Sequence, residues 1–325
     1  MISTFQKRSK FTGSPIAVYN AYDPTRTTTL RNEFVKKMDN RFTKLCNAII
    51  TKVIDEDCFG LNAIQVNDLP NAFAFPRSAD KVKAFMQWLD QQVKEGILSV
   101  KEYEQLGTAI DTAWTNLYIT DSYKRGIIRA RYELQKAGYK NVPSIESTGG
   151  VDMSMMIPLH VDTLGLLYTR VFSDLKGITD AMDSAISRIL AQGMADGDNP
   201  ILLARKMIAA INGTGMGDLG ITDTLGRFIP AQVRAQMLAR TEIVRAHHQA
   251  MIQEYRNWAV IDLKVIAEVV TAGDDRVCSL CEALAAGSPY TLDQAQNMIP
   301  AHPNCRCIAL PFEVGVDTLI PKREL

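Results

Sequence analysis

The feature that most constrains this chain lies near its C-terminal end, between Asp274 and Cys307. It reads DDRVCSLC, then a longer spacer, then HPNCRC. Four of the chain's 6 cysteines and one of its 4 histidines fall inside this window. In Cys278-x-x-Cys281 the two sulfurs turn toward one point at the mouth of a tight turn. A second pair arriving from a distant loop completes a tetrahedron, and thiolate and imidazole donors at that spacing suit Zn²⁺. The second segment offers three candidates for two places. Cys305 and Cys307 point the same way on an extended chain, whereas His302 and Cys305 converge on a helical turn. Pro303 disfavours helix at His302, which favours an extended HPNCRC strand. The metal candidates are therefore Cys278, Cys281, His302, Cys305 and Cys307, with structural zinc as the expected ion. Three other uses compete for the same residues: two disulfides, a Cys-x-x-Cys redox pair, and buried reduced thiols with no ligand. The N-terminus carries no hydrophobic signal segment, which points away from an oxidising compartment. No βαβ pattern surrounds Cys278, as a redox motif of that type requires.

A chain of 325 residues has room for about two domains. Its 46% hydrophobic and 22% charged residues are an ordinary globular mix that can bury a core. Lys+Arg 36 against Asp+Glu 36 gives a net charge of +0. A protein whose task is to coat DNA carries a large basic excess, so double-stranded DNA is at most a local partner. No apolar run reaches the length needed to span a bilayer, and no membrane association is expected.

The periodicity predicts a mainly α fold: long helices in the N-terminal half, and an α+β C-terminal module with a short strand pair around a Cys/His knuckle. Residues 1–22, with Lys7, Arg8 and Lys10, read as a flexible arm. Residues 23–140 read as a helical docking domain. Asp23-Pro24 is its start signal, with Asp as N-cap and Pro as the first helical residue. Leu30, Phe34, Met38, Phe42, Leu45, Ile49 and Val53 then recur in steps of four and three, which share one face. A second helix is predicted from Ser78 to Val93. A third region, opened by a capping box at Ser99 and Glu102, runs to about Lys136. Its apolar face is Trp114, Leu117, Tyr118, Tyr123, Ile127, Ile128 and Leu134, with Arg125, Arg129 and Arg131 on a solvated face. Residues 141–157, with Pro143, Gly149, Gly150 and three methionines, read as a linker.

From Pro158 helices resume: one to about Leu175, another from Gly177 to Gln192, a third opened by Asn199-Pro200, and a fourth from Ala231 to Trp258. Residues 260–271 read as a strand leading into the Cys-x-x-Cys segment. Thr291 caps a short helix, Ile308 to Leu310 close with a strand, and 313–325 read as a loose tail. Gly215, Gly217 and Gly220 form a literal G-x-G-x-x-G. A helix precedes it where a dinucleotide site needs a strand, so it reads as a turn. His247 and His248 are adjacent, so one is expected inward and one outward. They lack the i, i+4 spacing of a zinc-protease helix.

Asp274-Asp275-Arg276-Val277-Cys278-Ser279-Leu280-Cys281, with His302-Pro303-Asn304-Cys305-Arg306-Cys307 and an upstream Ala239-Arg240-Thr241-Glu242, resembles the C-terminal signature of the phage Mu F-like head-morphogenesis (minor head protein) family. The likeness covers roughly residues 165–312, and it assigns 158–312 to a Mu F-like head-morphogenesis domain. Where the family often has a Trp before the Asp-Arg pair, this chain has Val269-Val270-Thr271. The resemblance implies a non-enzymatic structural protein of a tailed phage that joins the prohead during assembly. Its implied partners are the portal protein, major capsid or scaffold proteins and, locally, packaged double-stranded DNA. It would act in multiple copies per particle, at the capsid interior or portal vertex of the virion, after passing through the host cytoplasm, with a role in packaging or ejection. The alternative is a metal-dependent nuclease of treble-clef type. Such an enzyme needs an open metal position and a nearby base, for which His247, His248 and His302 are the candidates.

Overall fold

The apolar stripe that begins at Leu30 forms the first element of the structure, a computed structural model that describes residues 23–61, 75–105, 108–139, 141–214, 229–259 and 265–312. The arm at 1–22, the glycine motif at 215–220, the start of the 260–271 strand and the tail at 313–325 lie outside the described residues. Helix α1 spans Thr28–Ile50 and continues as a π turn, Thr51–Asp55. All seven stripe residues are buried, so the sequence pattern and the packed face coincide. The helix starts later than Asp23-Pro24 suggests. Arg26 adopts a left-handed φ of 55°, and the Asp23 carboxylate reaches over this turn to accept from the backbone N–H of Thr27 (3.1 Å) and Thr28 (2.8 Å). Asp23 therefore caps from outside the helix, where Arg31 also pairs with it at 2.7 Å.

Helix α2, Phe75–Gly96, is followed by a hairpin where the sequence predicts helix: β1, Val100–Gln105, pairs antiparallel with β2, Thr108–Ala113. The register runs from Val100 opposite Ala113 to Gln105 opposite Thr108. Val100, Tyr103, Thr108, Ile110 and Thr112 favour strand, and a helix through Gly107 loses about 1 kcal/mol. These preferences outweigh the Ser99/Glu102 cap pattern. Helix α3 then spans Asn116–Lys136 and buries Ile119, Tyr123, Ile127, Ala130 and Leu134. Leu117 and Ile128, expected on that face, are exposed. Arg129 and Arg131, expected in solvent, are buried and ion-paired with Glu133 and Glu254.

Residues 141–157 contain a 3-10 turn, Glu146–Thr148, and a short helix α4, Val151–Met155. Helix α5 runs unbroken over 39 residues, Pro158–Asp196. The sequence suggests a break near Gly177, but the buried stripe Leu167, Val171, Leu175, Ile178, Met182 passes through it without a phase change. No cap accompanies this glycine, so its cost is only one of propensity. Helix α6, Pro200–Asn212, is capped by Asn199, whose side chain accepts from Leu202 N–H at 2.9 Å, and ends at Gly213 with φ 80°. Helix α7 spans Ala231–Ala259.

The C-terminal module contains β3 (Ile266–Val270), α8 (Ser279–Ala286), β4 (Tyr290–Thr291), α9 (Leu292–Gln296) and β5 (Ile308–Pro311). The expected strand pair is β3 with β5, antiparallel with Val270 opposite Ile308, and β4 adds a third short strand on the other edge of β3. Thr291 and Gln294 form a reciprocal capping box on α9. The class is thus mainly α with a small antiparallel sheet beside the Cys/His residues, as the sequence predicts.

The described residues group into two compact units that are discontinuous in sequence. Among the described residues, one draws on 23–31, 118–139, 141–167, 241–259 and 265–312, the other on 32–61, 75–105, 108–117, 168–214 and 229–240. In the second unit Phe34 meets Trp114 edge to face at 5.6 Å, and the Arg41 guanidinium lies 4.1 Å from the Trp114 ring. In the first, a core of Leu134, Tyr139, Met251, Tyr255, Val269 and Ile308 includes three cysteines: Cys281, Cys305 and Cys307.

Candidate metal centre

Both sulfur-bearing segments are set by local backbone chemistry. After β3 the chain turns at Gly273, with φ 70°, and reaches Cys278 in extended conformation as the N-cap residue of α8. The first turn of α8 then carries Cys281 into the core, while Cys278 stays partly exposed. In the second segment the Cys305 N–H donates to the His302 carbonyl at 3.1 Å, and Asn304 has φ 62°. Proline in the second place and asparagine at positive φ in the third is type II turn chemistry. HPNCRC is therefore not an extended strand from His302 onward. Pro303 excludes helix before it, as expected, but the chain resolves the conflict by turning, and becomes extended only toward Ile308. The His302–Cys305 spacing is used by the backbone, which closes the turn, while Cys305 and Cys307 bring their sulfurs together on the way into β5.

All five candidate residues come together. Cys278, Cys281 and His302 place one donor atom each within 4.8 Å of one another, and so do Cys281, Cys305 and Cys307. Cys281 belongs to both sets. Its sulfur lies 3.9 Å from Cys305 Sγ and 3.2 Å from His302 Nε2. Metal–sulfur bonds of about 2.3 Å and metal–nitrogen bonds of about 2.0 Å give tetrahedral edges of roughly 3.8 Å (S–S) and 3.5 Å (S–N). The observed separations fit that figure closely for sulfur and within a few tenths of an ångström for nitrogen. His302 Nδ1 lies 2.8 Å from the Pro303 carbonyl. It donates there, which leaves the Nε2 lone pair facing Cys281, the outer contact that a metal-binding imidazole uses. The Cys/His cluster can thus hold a metal ion.

The thiols differ in their hold on the proton. A hydrogen bond from the Cys307 thiol, above all, draws Cys305 down to about 5, helped by backbone N–H groups and His302. The Cys281 backbone N–H lowers Cys278. Burial pushes Cys281 up to about 12, and donation to Cys305 raises Cys307. For His302, burial opposes the charged form, but the Pro303 carbonyl and the facing sulfurs raise it above its ordinary value.

The two segments are also clamped to each other and to α7. The Arg306 guanidinium, between the last two cysteines, forks onto both oxygens of Asp274 at 2.7 Å each, and Arg276 adds a contact at 3.0 Å. Asn304 N–H donates to Thr241 Oγ1 on α7 at 3.0 Å. The α9 end is held as well, by His248 Nε2 on the Ala295 carbonyl and Gln249 Nε2 on the Gln296 carbonyl. His247 and His248 are both buried, against the expectation that one faces solvent. Each lies where α7 is covered on more than one side. Burial drives His247 down to about 3 and His248 to about 4, so both stay neutral.

One buried polar assembly has no sequence signal. Glu254 on α7 accepts from Arg131 Nε, from Trp258 Nε1 (2.8 Å) and from His160 Nε2 (2.9 Å), and His160 Nδ1 takes the Tyr123 hydroxyl at 2.9 Å. The Arg131 fork continues to Thr148 Oγ1, the Ser144 carbonyl (3.2 Å) and Ser154 Oγ (2.8 Å), so it fastens the 144–154 segment. Apart from Trp258, one turn along α7, the residues that meet Glu254 here, Arg131 and His160, are far away in the chain, and no local spacing announces them. The sequence matches no family model and no curated protein, and the fold matches no solved structure.

Proposed function

We propose that this chain is a structural assembly protein whose C-terminal module is pinned by zinc, and that it serves as a minor head (head-morphogenesis) protein of a tailed phage. One observation carries the reading. Three separated stretches that resemble the family signature bond to one another: Thr241 of Ala-Arg-Thr-Glu holds Asn304 of HPNCRC, and Arg306 of HPNCRC holds Asp274 of the Cys-x-x-Cys stretch. Zinc is the ion of choice for buried thiolates with one imidazole, because it is tetrahedral, borderline-soft and redox-inert. The three-stranded sheet is too small to hold itself, and metal binding supplies folding free energy in such modules. A sulfur-rich, largely buried donor set resembles closed structural sites more than catalytic ones, which keep a water position. The partners on this reading are the portal and the capsid or scaffold proteins of the prohead.

The test is co-sedimentation of the full chain with proheads that carry portal and with proheads that lack it, alongside elemental analysis. Portal-dependent association with about one zinc per chain supports the proposal. Absence of association overturns the assembly role, and absence of metal overturns the zinc centre. Cleavage of plasmid DNA with Mg²⁺ or Mn²⁺, lost in His302→Ala, would replace both with the nuclease reading.

A further inference from the structure

Five candidate donors, in two sets of three that share Cys281, stand where an ion takes four. Cys281, Cys305 and Cys307 are the buried three, set by the first turn of α8 and by the approach to β5. Two donors remain, and they reach Cys281 from opposite segments: Cys278 from the start of α8, and His302 from the proline–asparagine turn. Each stands three residues before a buried cysteine, Cys278 before Cys281 and His302 before Cys305. We infer that the fourth position is shared: Cys281, Cys305 and Cys307 hold the ion throughout, and Cys278 and His302 exchange as its fourth ligand.

Two opposing effects keep the competitors close. A fourth thiolate binds a borderline-soft ion well, but it adds a negative charge to a part-buried site. The imidazole adds no charge and is held ready by the Pro303 carbonyl. Exchange also has a mechanical consequence. With His302 bound, the 302–305 turn is tied both to the ion and, through Asn304, to Thr241 on α7. With Cys278 bound, the turn keeps Cys305 on the ion and Asn304 on α7 but releases its His302 end, and α8 is tied at both Cys278 and Cys281.

This inference rests on the metal reading above, and cobalt(II) separates the two. Cobalt is titrated into the full-length wild type, Cys278→Ser, His302→Ala and the double variant. Wild type that gives no tetrahedral cobalt spectrum overturns the metal reading itself. On the shared-position reading each single variant still binds one cobalt, weakened by no more than about tenfold, and the double variant is weakened by about a hundredfold or more. The sulfur-to-cobalt band of His302→Ala exceeds that of Cys278→Ser in a ratio near four thiolates to three. Loss of binding in one single variant with none in the other means a fixed fourth ligand and overturns the exchange. A double variant that binds like wild type overturns it too. A second measurement needs no variant: alkylation of the metal-loaded wild type, read by mass spectrometry. Modification at Cys278 with metal retained and Cys281, Cys305 and Cys307 protected is expected. Equal protection of all four thiols refutes the exchange.

Discussion

Replacing Glu254 with Gln tests how the first unit is held together. The Glu254 carboxylate is fully buried, and every neighbour it contacts donates to it: Arg131 and Trp258 on one oxygen, His160 and Asn257 on the other. A carboxylate offers only acceptors, which suits this set. Glutamine presents an NH₂ to one of these donors and leaves the Arg131 guanidinium, itself almost fully buried, without its counter-charge. Removing one partner of a buried pair costs about 3–5 kcal/mol. That is a large share of the roughly 5–15 kcal/mol by which domains are stable. Hydrogen exchange read by mass spectrometry reports opening segment by segment, so α3, the 144–157 stretch and the Thr241-to-Ala259 part of α7 can be followed separately. Protection in these segments should fall together by about that amount. Adding Arg131→Met should cost less than the sum of the two single changes, with a coupling of about 0.5–3 kcal/mol. Loss of under about 1 kcal/mol in Glu254→Gln, or strict additivity in the pair, would refute the account of this network as a matched buried charge set.

Acidification should destabilise the protein before most carboxylates titrate. Burial holds His247 near 3 and His248 near 4, below the ordinary value of 6.5. Their contribution is complete above about pH 6.5, and each gives up to about 1.4 kcal/mol per pH unit as the pH falls toward their folded values. Glu254, also held low, adds to the loss below its ordinary 4.5, and a urea midpoint that rises between pH 6.5 and 4.5 would contradict this. Gly126→Ala should destabilise the first unit by about 1–3 kcal/mol, because the new Cβ would lie 2.4 Å from the His247 carbonyl oxygen and 2.7 Å from Ala250 Cβ. A thermal midpoint equal to wild type would show that the α3–α7 approach is loose. Gly177→Ala has open space around its Cβ and sits inside α5, so it should stabilise by about 0.4–1 kcal/mol, measurable by urea titration; destabilisation would mean that α5 is broken there.

Much of the helical half was legible in the chain. The steps from Leu30 to Val53, the Asn199-Pro200 start and the Thr291 cap are local signals, because a helix side or a cap involves residues only a few positions apart. The Cys278–Cys281 and His302–Cys307 segments were legible as one site for a related reason: few residue types cluster so sharply in a chain so poor in them. Where two local signals disagreed, the sequence could not arbitrate. At Ser99–Ala113 a cap pattern met strand-forming residues, and strand pairing across the hairpin decided it. At Pro303 the bar to helix is local, but the turn closed by Cys305 N–H and the His302 carbonyl is what puts the imidazole beside Cys281.

The charged residues on α3 mark the limit. Arg129 and Arg131 carry the same side chain whether solvated or buried, and only partners far along the chain, such as Glu254, make burial tolerable. The same holds for His247, His248 and the Asp274–Arg306 clamp. Sequence by itself determined the helix-forming stripes, the caps and the gathering of five metal-ligand candidates, because those depend on neighbours within a turn or on residue type. Tertiary structure alone decided which charges are buried, which segments share a unit and which donors face one another, because those depend on distances that no local spacing encodes.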